Sequence, residues 1–256
     1  MAARPQRLIL KFGSGILSNL RGNTLDRKQF VRLSAEVSAL VRAGHECLIV
    51  SSGAVAAGLG ALGLDERPHE LSARQACAAV GQTRLMQLYA TVFGRHGLHV
   101  AQLLLTHNDL DSRARHANAR NTLEHLFARR NIVPIINEND SVAVEELNFG
   151  DNDRLSAEVA ILVRADALFL LTSVDGLLDD TGAVVPEVRD ASGVAGLVRH
   201  DKGRVSVGGM TTKLQAARIA VEHGIPACIL NGRKPGLLAA ALAGRTVGTR
   251  FPARAR

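Results

Sequence analysis

Short apolar runs alternate with amphipathic stretches along almost the whole chain. RLILKF (Arg7–Phe12) is a nearly continuous apolar run of strand length closed by Gly13-Ser14-Gly15, and it predicts a buried strand followed by a turn. From Leu25 to Gly44 the apolar positions recur three and four apart. Phe30, Leu33, Val37, Leu40 and Val41 share one face, which predicts a helix stopped by Gly44. ECLIVSS predicts a second strand, GAVAAGLGALG a helix packed closely through small residues, and Ala73–Gly94 a long helix. HVAQLLLT predicts a third strand, Arg113–Arg130 a helix, NIVPIIN a fourth strand, DRLSAEVAILVRA a helix and DALFLLTSV a fifth strand. Asp175–Arg189, with Gly176, Asp179-Asp180, Gly182 and Pro186, predicts a turn-rich hairpin excursion. GMTTKLQAARIAVEHG then predicts a helix ended by Gly224, IPACIL a sixth strand, and Pro235–Gly244 a last short helix. Pro134 and Pro226 are placed near strand starts, where a missing N–H is tolerated.

Strands alternating with helices are the pattern of βαβ units. The expected fold class is α/β, with a central, mostly parallel sheet covered on both faces. No repeat, low-complexity tract or linker interrupts the pattern, so residues 1–256 are read as one domain.

Composition narrows the function classes. The chain has 31 Lys+Arg against 24 Asp+Glu, a net charge of +7, which suits acidic partners or anionic substrates. Nucleic acid is the weaker reading, because aromatics are 3% of residues and stacking platforms are scarce. Cys47, Cys77 and Cys228 are odd in number and far apart, which fits buried small apolar residues in a reducing compartment better than a disulfide or zinc framework. No stretch reaches the roughly 18 apolar residues of a membrane helix, and a cytoplasmic protein is expected.

Two segments are suited to phosphate. Lys11 ends the first strand beside Gly13-Ser14-Gly15, and ligands of open α/β sheets bind beyond the carboxyl ends of strands. Gly208-Gly209 precede a helix with Thr211, Thr212 and Lys213 in its first turn, where free N–H groups and the dipole attract anions. A cation in a first turn opposes that dipole, and a bound anion gives it a reason to be there. Two other matches are set aside. Gly58, Gly60 and Gly63 fit GxGxxG but lie inside a helical pattern, and no GxxxxGK[ST] occurs. Asp151-Asn152-Asp153 begins like a calcium loop, but Ser156 stands at the sixth position and Leu162 at the twelfth. Acids and amides also gather between Asn131 and Asp153, a stretch without Lys or Arg.

LKFGSG, VSSGAVAAG, AVGQTRLMQLY, the LLLT strand end, NARNTLEHL, VPIINEND, FGDNDRLSAEVA, LLTSVDGL, GGMTTKLQAA and NGRKPG occur in this order over essentially the whole length. On these segments the chain resembles the amino acid kinase family, and within it the branch that phosphorylates glutamate. The resemblance implies a three-layer α/β/α sandwich. It also implies phosphorylation of the γ-carboxylate of L-glutamate, dependent on ATP and Mg²⁺, as the first step of proline biosynthesis. It assigns catalytic roles to Lys11, Asp153 and Lys213, with the lysines on the transferring phosphoryl group and Asp153 orienting them. Ser52, Asp140 and Asn152 would bind glutamate. Lys11, Thr172, Ser173, Gly208, Gly209, Met210, Thr211, Thr212 and Lys213 would bind ATP. No protein residue is assigned as a metal ligand.

The resemblance further implies a homo-oligomer, dimer or tetramer, and a glutamate-5-semialdehyde dehydrogenase (γ-glutamyl phosphate reductase) as a partner, with neither membrane nor nucleic acid. The sequence departs from the family pattern at Ser173, where Asp is common, at Gly15, where Thr or Ser is frequent, and at Val207, where Thr is frequent. It ends at FPARAR without the RNA-binding PUA domain that many bacterial members carry, so a form lacking that domain is expected.

The implied chemistry suits the residues. A glutamate γ-carboxylate, with a reference pKa near 4.3, is ionised at pH 7 and needs no general base. Attack of one anion on a polyanion needs alignment and charge neutralisation, which two lysines and Mg²⁺ supply. Histidines therefore need no catalytic role, and His107 is expected in the core or in solvent. The competing readings are a kinase of this fold for aspartate, N-acetylglutamate or UMP, and a non-catalytic nucleotide or amino-acid sensor.

Overall fold

The computed structural model describes residues 4–142, 151–189 and 209–253. In chain order its elements are β1 (Arg7–Phe12), α1 (Ser14–Leu17), α2 (Arg27–Arg42), β2 (Glu46–Val50), α3 (Ala54–Leu62), α4 (Leu71–Gly94) and β3 (His99–Leu105). They continue with α5 (His107–Asp111), α6 (Arg113–Phe127), β4 (Ile132–Glu138), α7 (Asp151–Leu162) and β5 (Ala167–Thr172). Last come α8 (Met210–Glu222), β6 (Ala227–Asn231), α9 (Leu237–Leu242) and β7 (Thr249–Phe251). The seven strands form one sheet in the order β3-β4-β2-β1-β5-β6-β7. All neighbours run parallel except β6 and β7.

The period of two along β1 divides the core. Leu8, Leu10 and Phe12 pack on one face with residues of α2 and α4, whereas Ile9 packs on the other with residues of α6, α7 and α8. This is the three-layer arrangement expected. Lys11, two residues after Ile9, falls on the α7–α8 face. The alternation of one strand thus decides which helices its lysine meets.

Local signals account for much of the rest. Asp26 caps α2 by accepting from the N–H groups of Lys28 and Gln29. The small residues of α3 let it press against α4: a Cβ on Gly58 would lie 1.9 Å from the Cys77 carbonyl, and one on Gly81 1.8 Å from the Ala54 carbonyl. The Asp175–Arg189 excursion forms as expected, with Leu178 bridged antiparallel to Val184. Asp179 closes the turn by accepting from Thr181 and Ala183.

The structure corrects some local readings. Pro134, near a strand start as expected, is the third residue of β4, which is an interior strand. It pairs with Ala101 of β3, while the register with β2 begins only at Ile135, so the missing N–H costs no bond to β2. Pro226, by contrast, directly precedes β6. Gly13-Ser14-Gly15 passes into the short helix α1. No serine caps α3: its N-cap is Gly53 at φ 100°, and Ser51 instead meets the Tyr89 hydroxyl at 2.9 Å.

Candidate active site

Five parallel strands, β1, β2, β4, β5 and β6, end at the same edge of the sheet, and the candidate residues collect there. Lys11 lies one residue before the end of β1, the central strand. Asp153 lies in the first turn of α7 and Lys213 in the first turn of α8. The Lys11 ammonium is 2.7 Å from Asp153 Oδ1, and the Lys213 ammonium donates to Asp153 Oδ2 at 3.1 Å. The Thr212 hydroxyl donates to the same Oδ2 at 2.6 Å. Lys11 and Lys213 are each 5% exposed and Asp153 is fully buried, so two ammonium groups share one carboxylate out of water.

The electrostatics follow from that ratio. Burial alone pushes the Asp153 carboxyl up, but the charges of Lys11 and Lys213 outweigh it and hold the carboxyl below its ordinary value. Burial lowers the Lys213 ammonium; Asp153 opposes that shift and the nearby charge of Lys11 adds to it. A second anion here would neutralise the excess cation, and a phosphoryl group has the right charge and acceptors.

The acceptor side of the edge is built by amides. The N–H of Glu138, the last residue of β4, is shared between Asn137 Oδ1 at 3.0 Å and Asn152 Oδ1 at 3.2 Å. Asn137 Nδ2 in turn donates to Gln82 Oε1 at 2.8 Å. A backbone donor of fixed sense therefore orients three carboxamides, and it leaves the NH₂ end of Asn152 as the end that can donate. Asp140 is half-buried in the turn after β4, within electrostatic reach of Arg67. Ser52 is half-buried between β2 and α3. Residues at the ends of β2 and β4 and at the start of α7 thus lie at one edge of the sheet.

The nucleotide side lies beyond β5 and β6. Thr172 ends β5, and its carbonyl accepts from the Gly232 N–H at 2.8 Å. Ser173 is exposed. A Cβ on Gly15 would come within 3.2 Å of Ser173 Oγ, so two of the departures from the family pattern face each other. Gly209 caps α8, Met210 packs against the core, Thr211 is exposed and Thr212 is half-buried. Gly208, Val207, Glu145, Glu146 and the side chain of Asp151 lie outside the described residues.

Several contacts had no sequence signal. The Thr212–Asp153 bond joins residues 59 apart, and Arg233 reaches the Gly15 carbonyl across 218 positions. His107 is a core histidine, as expected, but a paired one: its Nδ1 lies 2.7 Å from Glu158, which also accepts from Arg154 at 2.7 Å. Among the described residues no group of three or more His, Cys, Asp or Glu is placed to hold a metal, and no helix is long and apolar enough to cross a membrane.

Paired lysines around a buried aspartate at the central strand end suit the handling of a phosphoryl group. The chain belongs to the amino acid kinase family, whose model matches residues 6–231. Its relatives make the match more particular. It is 46% identical to glutamate 5-kinase of Thermus thermophilus over 256 residues, covering 98% of this chain and 68% of that one. It is 46% identical to glutamate 5-kinase of Geobacter metallireducens, covering 97% and 68%, and 43% identical to that of Nocardia farcinica, covering 98% and 69%. The chain therefore spans about two thirds of the length of these relatives. UMP kinase of Bacillus anthracis superposes with a TM-score of 0.64 at 18% identity, covering 98% of both chains. N-acetylglutamate synthase of Neisseria gonorrhoeae superposes with a TM-score of 0.64 at 17% identity, covering 98% of this chain and 62% of that one. At those identities the two structures speak to the fold alone.

Proposed function

We infer that the chain transfers the γ-phosphoryl group of ATP to the γ-carboxylate of L-glutamate, giving γ-glutamyl phosphate for proline biosynthesis. The observation that carries this is the pair of buried lysines sharing Asp153 at the end of β1, in a chain up to 46% identical to glutamate 5-kinases over nearly its whole length. Lys11 and Lys213 hold the phosphoryl oxygens and offset the charge that builds as one anion attacks another. Asp153 keeps the two ammonium groups in place. Its oxygens face Lys11, Lys213 and Thr212, and Mg²⁺ enters with ATP as part of the substrate.

Asp140 faces the α-ammonium of glutamate, and Ser52 and the Asn152 NH₂ group donate to its oxygens. Thr172, Ser173 and the segment from Gly208 to Lys213 line the nucleotide. A free α-ammonium suits the acids and amides after β4, which favours glutamate over N-acetylglutamate or UMP. Retention of Lys11, Asp153 and Lys213 favours an enzyme over a non-catalytic sensor. The kinase domain works in a cytoplasmic homo-oligomer, a dimer or tetramer, and hands its labile acyl phosphate to a γ-glutamyl phosphate reductase.

Hydroxylamine traps acyl phosphates as hydroxamates, and this gives the test. With ATP and Mg²⁺ the protein forms hydroxamate with L-glutamate, and far less with L-aspartate, N-acetyl-L-glutamate or UMP in its place. A glutamate-independent signal, or none, overturns the reading.

A further inference from the structure

Gly13 and Gly15 give the segment after β1 freedom that other residues would not. Its position nevertheless bears directly on the site: a Cβ on Gly13 would stand 3.6 Å from the Lys11 ammonium, and one on Gly15 would stand 3.2 Å from Ser173 Oγ. Gly15 offers no side chain to anchor this segment. The Gly13 N–H donates to the Leu171 carbonyl of β5 at 3.1 Å, and the Gly15 end is held by Arg233, in the turn after β6. Its Nε and Nη2 both donate to the Gly15 carbonyl, at 3.0 and 2.7 Å, and Nη2 also donates to the Ser18 carbonyl at 3.0 Å. Nη1 faces Asp26, the cap of α2, at 3.7 Å.

The turn that carries Arg233 is itself braced. The Arg233 N–H donates to Asn231 Oδ1 at 2.9 Å, and Asn231 Nδ2 donates to Asp175 at 2.8 Å. Lys234 pairs with the same Asp175 oxygen at 2.7 Å. Asp175 lies three residues after Thr172. One turn of four residues therefore holds both the glycine segment over Lys11 and the segment that follows β5.

We propose that Arg233 is a positioning residue for the nucleotide: its guanidinium fork fixes Gly13–Gly15 against Lys11 and Ser173, and so sets the binding and alignment of ATP without touching the acceptor. The inference rests on the ATP-dependent reading above. Charge alone does not suffice, because the Gly15 carbonyl takes two N–H groups from one planar fork, a geometry that a lysine does not reproduce.

The test uses the whole chain and measures MgATP binding by calorimetry, together with KM for ATP and for glutamate. Arg233→Ala weakens ATP binding and raises KM for ATP about tenfold, with KM for glutamate within about twofold of the parent, because misplacing a substrate-positioning segment acts on the partner it positions. Arg233→Lys, which keeps charge and bulk, falls between the two, and low millimolar guanidinium ion restores ATP binding to the alanine variant. Thermal unfolding checks that both variants are folded. Unchanged ATP binding in Arg233→Ala overturns the proposal. So does a parallel rise in both KM values with lower thermal stability and no response to guanidinium, which marks a brace of the fold only. Failure of the parent protein itself to bind MgATP overturns the kinase reading, and is thereby distinguished from failure of the Arg233 proposal.

Discussion

The two ends of β1 carry cations of opposite meaning. At the amino end Arg7 meets two carboxylates, Glu46 and Glu124, each at 2.7 Å, donates to the Val163 carbonyl at 2.6 Å, and lies 4.4 Å over the Phe127 ring. Four residues on, Lys11 shares a single carboxylate with Lys213. At the amino end the acids are some two fifths exposed, and Glu124 also feels the charges of Arg120 and Arg164. At the carboxyl end Lys11, Lys213 and Asp153 are all buried. A cation whose partners are complete ties elements together. A buried cation in excess costs desolvation that only a further anion offsets. Hollow shape alone does not separate the two regions, since a cavity of about 380 Å³ lined by Arg4, Arg7, Arg164 and Asp166 opens at the amino end. The burial of the paired charges does.

The comparison breaks most visibly at Lys213. Lys213→Met leaves the Lys11–Asp153 pair intact and removes one buried like charge, so thermal stability holds or rises while kcat falls about 10²- to 10³-fold, the usual effect of losing one transition-state donor. Arg7→Met does the reverse. It lowers stability by about 1–2 kcal/mol, a figure reduced for the exposure of Glu46 and Glu124, and leaves kcat unchanged; urea unfolding beside the hydroxamate assay reads both. A lower kcat in Arg7→Met would show that the two ends are coupled.

The smallest effect is expected at His107. Its hydrogen bond to Glu158 raises the imidazolium above its ordinary value, against the burial that lowers it and with further help from the charges of Glu158 and Glu138, while Arg154 opposes. The folded value exceeds the unfolded one, so the stabilisation is fully present below the unfolded value of about 6.5 and is lost as pH rises through the raised folded value. Urea midpoints across that window drop by the equivalent of about 1 kcal/mol more in the parent than in His107→Asn.

Much of this was legible in the sequence because the signals are local. The apolar run of β1 places Lys11 at a strand end, whereas its central position and the face it takes appear only in the structure. Gly208-Gly209 before a helical pattern flags Lys213. That Asp153 joins the two lysines came from the resemblance, not from periodicity, since nothing in a helical repeat says what its first turn will face. β7 is three residues long, too short for an alternation to register. The Thr212–Asp153 and Arg233–Gly15 contacts are products of chain crossover, in which residues distant in sequence meet at one edge of the sheet.

The central claim is that the excess buried cation at the end of β1 serves the phosphoryl group. It is tested most directly by steady-state hydroxamate kinetics of Lys213→Met with glutamate varied at saturating ATP. The account predicts a kcat reduced by about 10²-fold or more with KM for glutamate little changed, the signature of an interaction realised in the transition state. A kcat equal to the parent's, with any loss confined to KM for glutamate, would contradict it.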